Sequence, residues 1–408
     1  MILSELCEAI VDCEHKTAPT IEDSEYAVIR TPDIGRGRLN IEQARKVTAN
    51  TYETWTRRAT PQEGDLIFAR EAPVGNVAIV LEGHKVCLGQ RTVLLRPCRT
   101  KVSPEFLCYY LLNDETQGRL LAKAAGATVL HLNVADIRAL DVPYLPSLED
   151  QKRAAAVLAA YDDLIAANQR RIQLLEDSAR LLYREWFVKL RFPGHETMPV
   201  TDGVPEGWEL KPVSEMMDAN PRTPFAKDVN RPFVGMEAIS EDSMVIDVSD
   251  VRPISGGAKF RNGDTLLARI TPCLENGKTG FVQFLEDDEA AASGSTEFIV
   301  LRSRTVNPYW IYCLARSDSF REHAINSMVG SDGRQRVNAK CFDQYFTLQP
   351  PSEVLQAFED NVKEMFAQVQ SLTEYNRALR QARDMLLPKL MSGALDLSSI
   401  AVPKEVEE

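Results

Sequence analysis

Several common chemical signatures are missing from this chain. Its five histidines, at 15, 84, 131, 195 and 323, are scattered, and no HExxH occurs. Eight cysteines (Cys7, Cys13, Cys87, Cys98, Cys108, Cys273, Cys313 and Cys341) contain no CxxC pair. Cys13 and His15 are neighbours, but no second pair stands at zinc spacing, so no metal site is expected and the thiols are expected to be reduced and mostly buried. A phosphate-binding loop is absent: Glu275-Asn276-Gly277-Lys278-Thr279-Gly280 lacks the upstream glycine and reads as a turn. Gly35-Arg36-Gly37 lacks the third glycine of a dinucleotide fingerprint, and no GxSxG elbow occurs. No apolar run approaches the ~20 residues that span a bilayer. The opening MILSELCEAIVDCEH has no basic region and its apolar run is broken by acids, unlike a signal peptide. Together these absences disfavour the common hydrolase, nucleotide-dependent and membrane classes, and a cytoplasmic protein is expected.

What is present is ordinary for a globular protein: 44% hydrophobic and 26% charged residues. A length of 408 residues suggests two or three domains. The formal net charge of -12 argues against indiscriminate nucleic-acid binding. It leaves room for a local surface, because thirteen Lys/Arg face eleven Asp/Glu between Thr20 and Tyr110, a balance of +2. Some of the acidity sits in the tail Lys404-Glu405-Val406-Glu407-Glu408.

The chain repeats itself once, at a period near 200 residues, which indicates duplicated domains. GDLIFAR (64–70) recurs as GDTLLAR (263–269), followed at the same offset by Pro73 and Pro272. VLLR (93–96) recurs as IVLR (299–302), and Ser103-Pro104-Glu105-Phe106-Leu107 as Asn307-Pro308-Tyr309-Trp310-Ile311 at a helix start. Gly126 and Gly330 follow, then Asn133 and Asn338, then the proline turns Pro143-Tyr144-Leu145-Pro146-Ser147 and Pro350-Pro351-Ser352. Within each repeat, short apolar strands alternate with turns and one or two helices, a mixed α/β (α+β) domain.

After each proline turn the apolar spacing changes to alternating steps of 3 and 4, which predicts a long helix. The first covers 148–187, with a seam of Leu158, Tyr161, Ile165, Asn168, Ile172, Leu175, Ala179, Leu182 and Trp186. The second covers 352–390, with Leu355, Phe358, Val362, Met365, Val369, Leu372, Asn376, Leu379, Arg383, Leu386 and Leu390. About 38 residues make a rod on the order of 55 Å. Asn168 takes a d position and Asn376 an a position, so antiparallel pairing as a coiled coil would bring the two amides together and fix the register. The divisions expected are 1–147, a helix over 148–192, 193–350, a helix over 351–392, and an acidic tail over 393–408.

The polar loops are the remaining candidates for function. Gly330-Ser331-Asp332-Gly333-Arg334-Gln335-Arg336-Val337-Asn338 is a turn rich in side chains that read base edges: Arg for guanine, Gln or Asn for adenine. Its counterpart, Gly126-Ala127-Thr128-Val129-Leu130-His131-Leu132-Asn133, is less polar, so the halves would not read the same bases. The candidates are Thr128, His131, Asn133, Ser331, Arg334, Gln335, Arg336 and Asn338 in these loops, and Arg70 and Arg269 at the ends of the repeated strand. Arg36, Arg38, Arg57 and Arg58 could clamp phosphates, and Arg91 and Lys278 complete the basic set. Any one arginine could instead be a solvated surface charge. Asn307-Pro308-Tyr309-Trp310 is superficially similar to the Asn-Pro-Pro-Tyr of adenine methyltransferases, but it lacks the second proline and a glycine-rich cofactor loop.

The ordered set of motifs resembles the specificity subunit of type I restriction-modification systems over nearly the whole chain. GDLIFAR and GDTLLAR resemble the repeated strand of the family's target-recognition domains. Pro146-Ser147-Leu148-Glu149-Asp150-Gln151 resembles the turn into the spacer helix, and Leu182-Tyr183-Arg184-Glu185-Trp186-Phe187-Val188 resembles that helix's end. Pro205-Glu206-Gly207-Trp208 resembles the start of a second recognition domain. The second turn departs, with Val354-Leu355-Gln356 where the family favours Glu-Gln. The resemblance implies a non-catalytic DNA-reading subunit. Each domain would read half of a bipartite site in double-stranded DNA, and antiparallel helices would set the gap. Modification subunits, two of them, would dock on the helices and supply S-adenosylmethionine chemistry, and a restriction subunit would add ATP- and Mg-dependent work. Other readings are a standalone methyltransferase, a protein-binding scaffold, and the specificity subunit of a related methylation-based defence system.

Overall fold

The computed structural model describes the chain except residues 127–129, 225–228, 249, 254–255, 288–289, 332, 399 and 401–408. It divides into two compact units, Met1–Leu164 with Ala378–Glu408, and Ile165–Arg377. The acidic residues 404–408 lie outside the described residues.

The first unit holds a five-stranded sheet in the order Cys7–Asp12, Thr92–Pro97, Leu66–Ala69, Val77–Ile79, Gly37–Arg38. Its last junction is parallel and the others antiparallel. A second sheet orders Arg45–Val47, Tyr26–Ile29 and Val86–Leu88. Leu66–Ala69, the apolar part of GDLIFAR, is buried at all four positions. Strand side chains alternate between faces. Leu66 and Phe68 therefore join the core under the helix Pro104–Leu112, while Ile67 and Ala69 join the core under the three-stranded sheet. A strand covered on both faces reads as a continuous apolar run, which is why no alternation marks it in the sequence.

The second unit repeats this plan. Met217–Ala219, Phe298–Ser303, Thr265–Ala268 and Thr279–Phe281 form one antiparallel sheet, and Asp250–Pro253, Asn230–Val234, Ala292–Gly294 and Ala258–Phe260 form another. A parallel junction recurs at the same place in each half, Ala27 to Val86 and Phe233 to Ser293. Both Pro73 and Pro272 follow cis peptide bonds. The buried aspartate after each repeated glycine forms an ion pair with the half-buried arginine that closes the neighbouring strand. Arg96 donates to Asp65 at 2.9 and 2.7 Å, and Arg302 to Asp264 at 2.7 and 2.6 Å. Strand registers Leu66 to Leu95 and Leu266 to Val300 bring these partners together.

The helices after these sheets start as the sequence leads one to expect, with proline in the first turn behind a polar cap. Ser103 caps Pro104–Leu112, and Asn307 caps Pro308–Ala315, accepting from the Trp310 N–H at 2.8 Å. The departure at the second proline turn has a structural counterpart. In the first half the fully buried Gln151 accepts from the Ser103 N–H at 2.8 Å. In the second half the donor is again the cap residue but the side-chain and backbone roles are exchanged: Asn307 Nδ2 donates to the Leu355 carbonyl at 3.1 Å, so no glutamine is needed.

Two long helices run Leu148–Tyr183 and Ser352–Met391. The first continues as a π-helical turn over Arg184–Val188. Seven positions of the expected seam are only half-buried, and at four of them the burial passes to the next residue. Leu175, Leu182, Met365 and Leu386 are only half-buried, while their neighbours Glu176, Tyr183, Phe366 and Leu387 are buried. The cause is a second contact surface. In the second unit both helices pack on the domain core as well as on each other, which favours the 3.6-residue period over a strict 3.5. Glu176 shows this directly. It accepts from the Ser243 hydroxyl at 2.6 Å and the Met244 N–H at 2.9 Å, and burial holds its carboxyl above the usual carboxylate range.

Within the first unit Arg383 donates to Asp162 at 2.5 Å, and Asp162 also accepts from the Tyr109 hydroxyl at 2.7 Å. Within the second, Arg171 reaches Gln368 at 2.9 Å, Asn168 Nδ2 donates to Asn376 Oδ1 at 2.9 Å, and Asn376 Nδ2 donates to the Ile165 carbonyl at 3.3 Å. Residue numbers rise on one helix as they fall on the other, so these segments are antiparallel. Both asparagines are buried. Removing one amide strands its partner, so Asn376→Leu is expected to cost about 1–3 kcal/mol, while Asn168→Leu with Asn376→Leu recovers most of the loss. Urea melts of the four variants measure this as a cycle; an Asn376→Leu protein as stable as the parent would show that the pair contributes nothing.

Candidate nucleic-acid interface

In both halves the end of the repeated strand carries the candidate loop by the same backbone bonds. The Leu132 N–H donates to the Arg70 carbonyl at 3.0 Å, and the Val337 N–H to the Arg269 carbonyl at 2.9 Å. A short pairing closes each loop, Ala125 with His131 and Val329 with Arg336. His131 and Arg336 also bridge to Glu71 and Ile270, just past the strand. Glycine serves the turns: Gly330 has φ +139°, and a Cβ there would meet the Arg334 carbonyl oxygen at 3.0 Å. The Gln335 carbonyl accepts from the Thr271 N–H at 3.1 Å, and the Arg334 N–H donates to the Ser331 carbonyl at 3.0 Å.

The structure separates the candidates by how their polar groups are used. Arg334 is exposed and Gln335 half-buried, and neither side chain has a partner among the described residues. Ser331 is exposed as well. Arg336 is engaged: Nε lies 3.0 Å from both Glu297 carboxylate oxygens, and a terminal nitrogen lies 2.8 Å from one of them. The Arg336 guanidinium holds the Glu297 carboxyl below the usual carboxylate range. Asn338 caps the following turn, accepting from the Lys340 N–H at 3.0 Å. In the first half Asn133 donates to Asp136 at 3.3 Å, and His131 is half-buried. Thr128 lies outside the described residues.

The basic candidates divide in the same way. Arg57 is exposed without a side-chain partner among the described residues, while Arg58 is exposed and pairs with Glu14 at 3.4 Å. Arg91 pairs with Glu71 at 2.9 Å, and Arg38 with Asp163. Arg36 donates to the Leu112 carbonyl at 2.9 Å and Lys278 to the Met236 carbonyl at 3.0 Å, so both are tied into the scaffold. Arg70 and Arg269 are structural equivalents. Each is half-buried with an Nε that is buried and lacks a hydrogen-bond partner, although Asp12 lies 3.7 Å from that of Arg70.

Two open basins flank the turn before the arginine-ended strand. One, of about 550 Å³, is lined by Asn220, Arg222, Thr223, Arg269 and Thr296 among others. Its counterpart, of about 300 Å³, is lined by Thr20, Arg30, Thr31, Arg45, Gln90 and Arg91 among others. Arg45 and Arg222 are exposed, without side-chain partners among the described residues, and sequence reasoning missed both. Neither belongs to a repeated motif, so no sequence signal marked them.

Asn307-Pro308-Tyr309-Trp310 is a capped helix start with Trp310 fully buried. None of the eight cysteines forms a disulfide; Cys13, Cys87, Cys108 and Cys313 are buried and the others half-buried. Among the described residues no cluster of three His, Cys, Asp or Glu could hold a metal ion, and no helix is long and apolar enough to cross a membrane.

Residues 2–177 match the family model of the type I restriction modification DNA specificity domain. The specificity subunit of the type I restriction enzyme MjaIX from Methanocaldococcus jannaschii is 24% identical over 399 residues, covering 94% of this chain and 88% of its own. That of the Escherichia coli enzyme EcoEI is 32% identical over 158 residues, 36% of this chain and 26% of its own. The crystal structure of a type I restriction-modification S subunit from M. genitalium shares the fold, with a TM-score of 0.55, 14% identity, and coverage of 96% of this chain and 95% of that one. The duplicated sheet plan, the antiparallel long helices and these relatives agree: over residues 2–177 the chain matches the DNA specificity domain of type I restriction-modification systems, and over nearly its whole length it is similar to their specificity subunits.

Proposed function

We propose that this protein is the DNA-reading subunit of a type I restriction-modification complex. Each domain reads one half of a bipartite site in double-stranded DNA, and the long helices set the gap between the halves. One observation carries this reading. Two domains share a backbone plan down to the bonds that seat the candidate loop, yet they differ in the polar side chains at equivalent positions: His131 for Arg336 and Arg91 for Glu297. A scaffold that holds two different readers is what a split, asymmetric site requires. The subunit works without chemistry of its own. S-adenosylmethionine is handled by modification subunits, two per complex, and ATP and Mg by restriction subunits. Leu174, Leu181 and Val188 stand exposed seven residues apart on the first long helix and its π-helical end, which supports docking of a partner on that face. With phosphate contacts shared across the complex, an acidic chain can still be held on DNA.

Methylome sequencing of a host that expresses this chain with its modification subunits tests the reading. One split motif carrying a methylated adenine is the expected result, and replacement of residues 330–338 by a neutral loop should lose or relax one half of it. No new methylation from an assembled complex would sink the proposal.

A further inference from the structure

The two loops are seated alike but braced differently, and the difference assigns roles inside the second one. The Glu297 and Arg91 carbonyls accept the same strand-end N–H groups, from Arg269 at 3.0 Å and Arg70 at 2.8 Å, so these residues occupy equivalent positions. Arg336 and His131 are likewise equivalent through their loop-closing bridges. In the second half an acid therefore faces a base across this junction. In the first half Arg91 pairs with Glu71 instead.

Arg336 meets Glu297 fork on carboxylate, with three contacts between 2.8 and 3.0 Å. Its other terminal nitrogen donates to the Arg334 carbonyl at 3.4 Å. The guanidinium thus spans from the strand-end turn to the backbone of the residue that carries the free arginine. Glu297 occupies the Nε/Nη2 edge of this guanidinium and Nη1 is turned to the Arg334 carbonyl, so Arg336 is held in place by groups of its own domain. The Arg334 guanidinium and the Gln335 amide have no side-chain partner among the described residues.

We propose that Glu297 and Arg336 form a positioning latch that orients the loop, and that Arg334 and Gln335, not Arg336, read bases in the half-site of the second domain. The proposal rests on the specificity reading above. The latch fixes the backbone at Arg334 and Gln335, so that two short-reach contacts hold one register along the groove. Lysine cannot replace Arg336, because a point charge pairs with Glu297 without bracing the Arg334 carbonyl in the same geometry.

The experiment uses the full chain assembled with its modification subunits and reads methylation genome-wide, with thermal melts of each variant as a folding control. Arg334→Ala and Gln335→Ala should each lower discrimination at single positions of one half-site by about tenfold or more. Glu297→Ala and Arg336→Ala should give the same phenotype as each other, a relaxed second half-site with the first half unchanged. Arg336→Ala relaxing the motif while Glu297→Ala leaves it intact would overturn the latch and make Arg336 a reader. An unchanged motif in both single variants would overturn it too. A parent complex that methylates no split motif would overturn the specificity reading itself, an outcome distinct from either.

Discussion

Replacing Phe358 with alanine is expected to cost the second unit about 3–5 kcal/mol. Phe358 is fully buried on the second long helix. Its ring centroid lies 4.9 Å from that of Phe187, 6.1 Å from Trp186 and 6.4 Å from Tyr183, with the Phe187 and Tyr183 contacts edge-on. Truncation removes the buried surface and these aromatic contacts together, each worth about 0.5–1.5 kcal/mol beyond area. Rings packed on several sides cannot collapse into the space, so the cavity persists. Phe358→Leu keeps most of the volume and should cost less than half as much. Urea unfolding of the three proteins, compared at equal m-value, provides the measurement. A loss under about 1 kcal/mol for Phe358→Ala would mean that this cluster does not hold the helix to the domain.

The second large effect is expected at the repeated ion pair. Asp264 is 1% exposed, and it accepts two bonds from Arg302 and one from the Arg261 N–H at 2.8 Å. Asp264→Ala leaves a guanidinium and a backbone donor without their acceptor inside the unit, and breaking such a pair from one side costs about 3–5 kcal/mol. Asp65→Ala should act in the same direction on the first unit but cost less: Asp65 is 2% exposed and accepts from Arg96 and from the Gln62 N–H at 2.9 Å, yet Arg96 is partly exposed and keeps the Thr60 carbonyl. Removal of both partners behaves differently. Asp264→Leu with Arg302→Met should be far less harmful than Asp264→Ala, because no charge is left buried alone. Thermal melts of single and double variants decide this, and a double variant as damaged as the single would refute the argument from the stranded charge.

Much of the fold was legible because its determinants are local. The 3–4 spacing and the polar caps at Ser103 and Asn307 specify helices within a few residues of themselves. The repeat was visible because GDLIFAR and GDTLLAR fill equivalent strands, each buried at all four central positions. The arginine at the end of VLLR and IVLR was also visible, but its partner was not. Asp65 and Arg96 stand 31 positions apart and meet only through the strand register.

The interface was less legible for the same reason. Residue type and loop position selected Arg36, Lys278, Arg334 and Arg336 alike. Tertiary structure ties Arg36 and Lys278 to backbone carbonyls, couples Arg336 to a glutamate 39 residues away, and leaves Arg334 exposed. The helix seam divides in this way too, since the domain core, absent from any heptad pattern, buries Glu176 and Phe366 in place of Leu175 and Met365. The sequence by itself determined the elements and their duplication, because periodicity and capping act over one or two turns, and its ordered motifs carried the family resemblance. Which charged groups are consumed inside the protein and which remain free for DNA was decided only by the tertiary structure, because a side chain's partners depend on register between segments far apart in the chain.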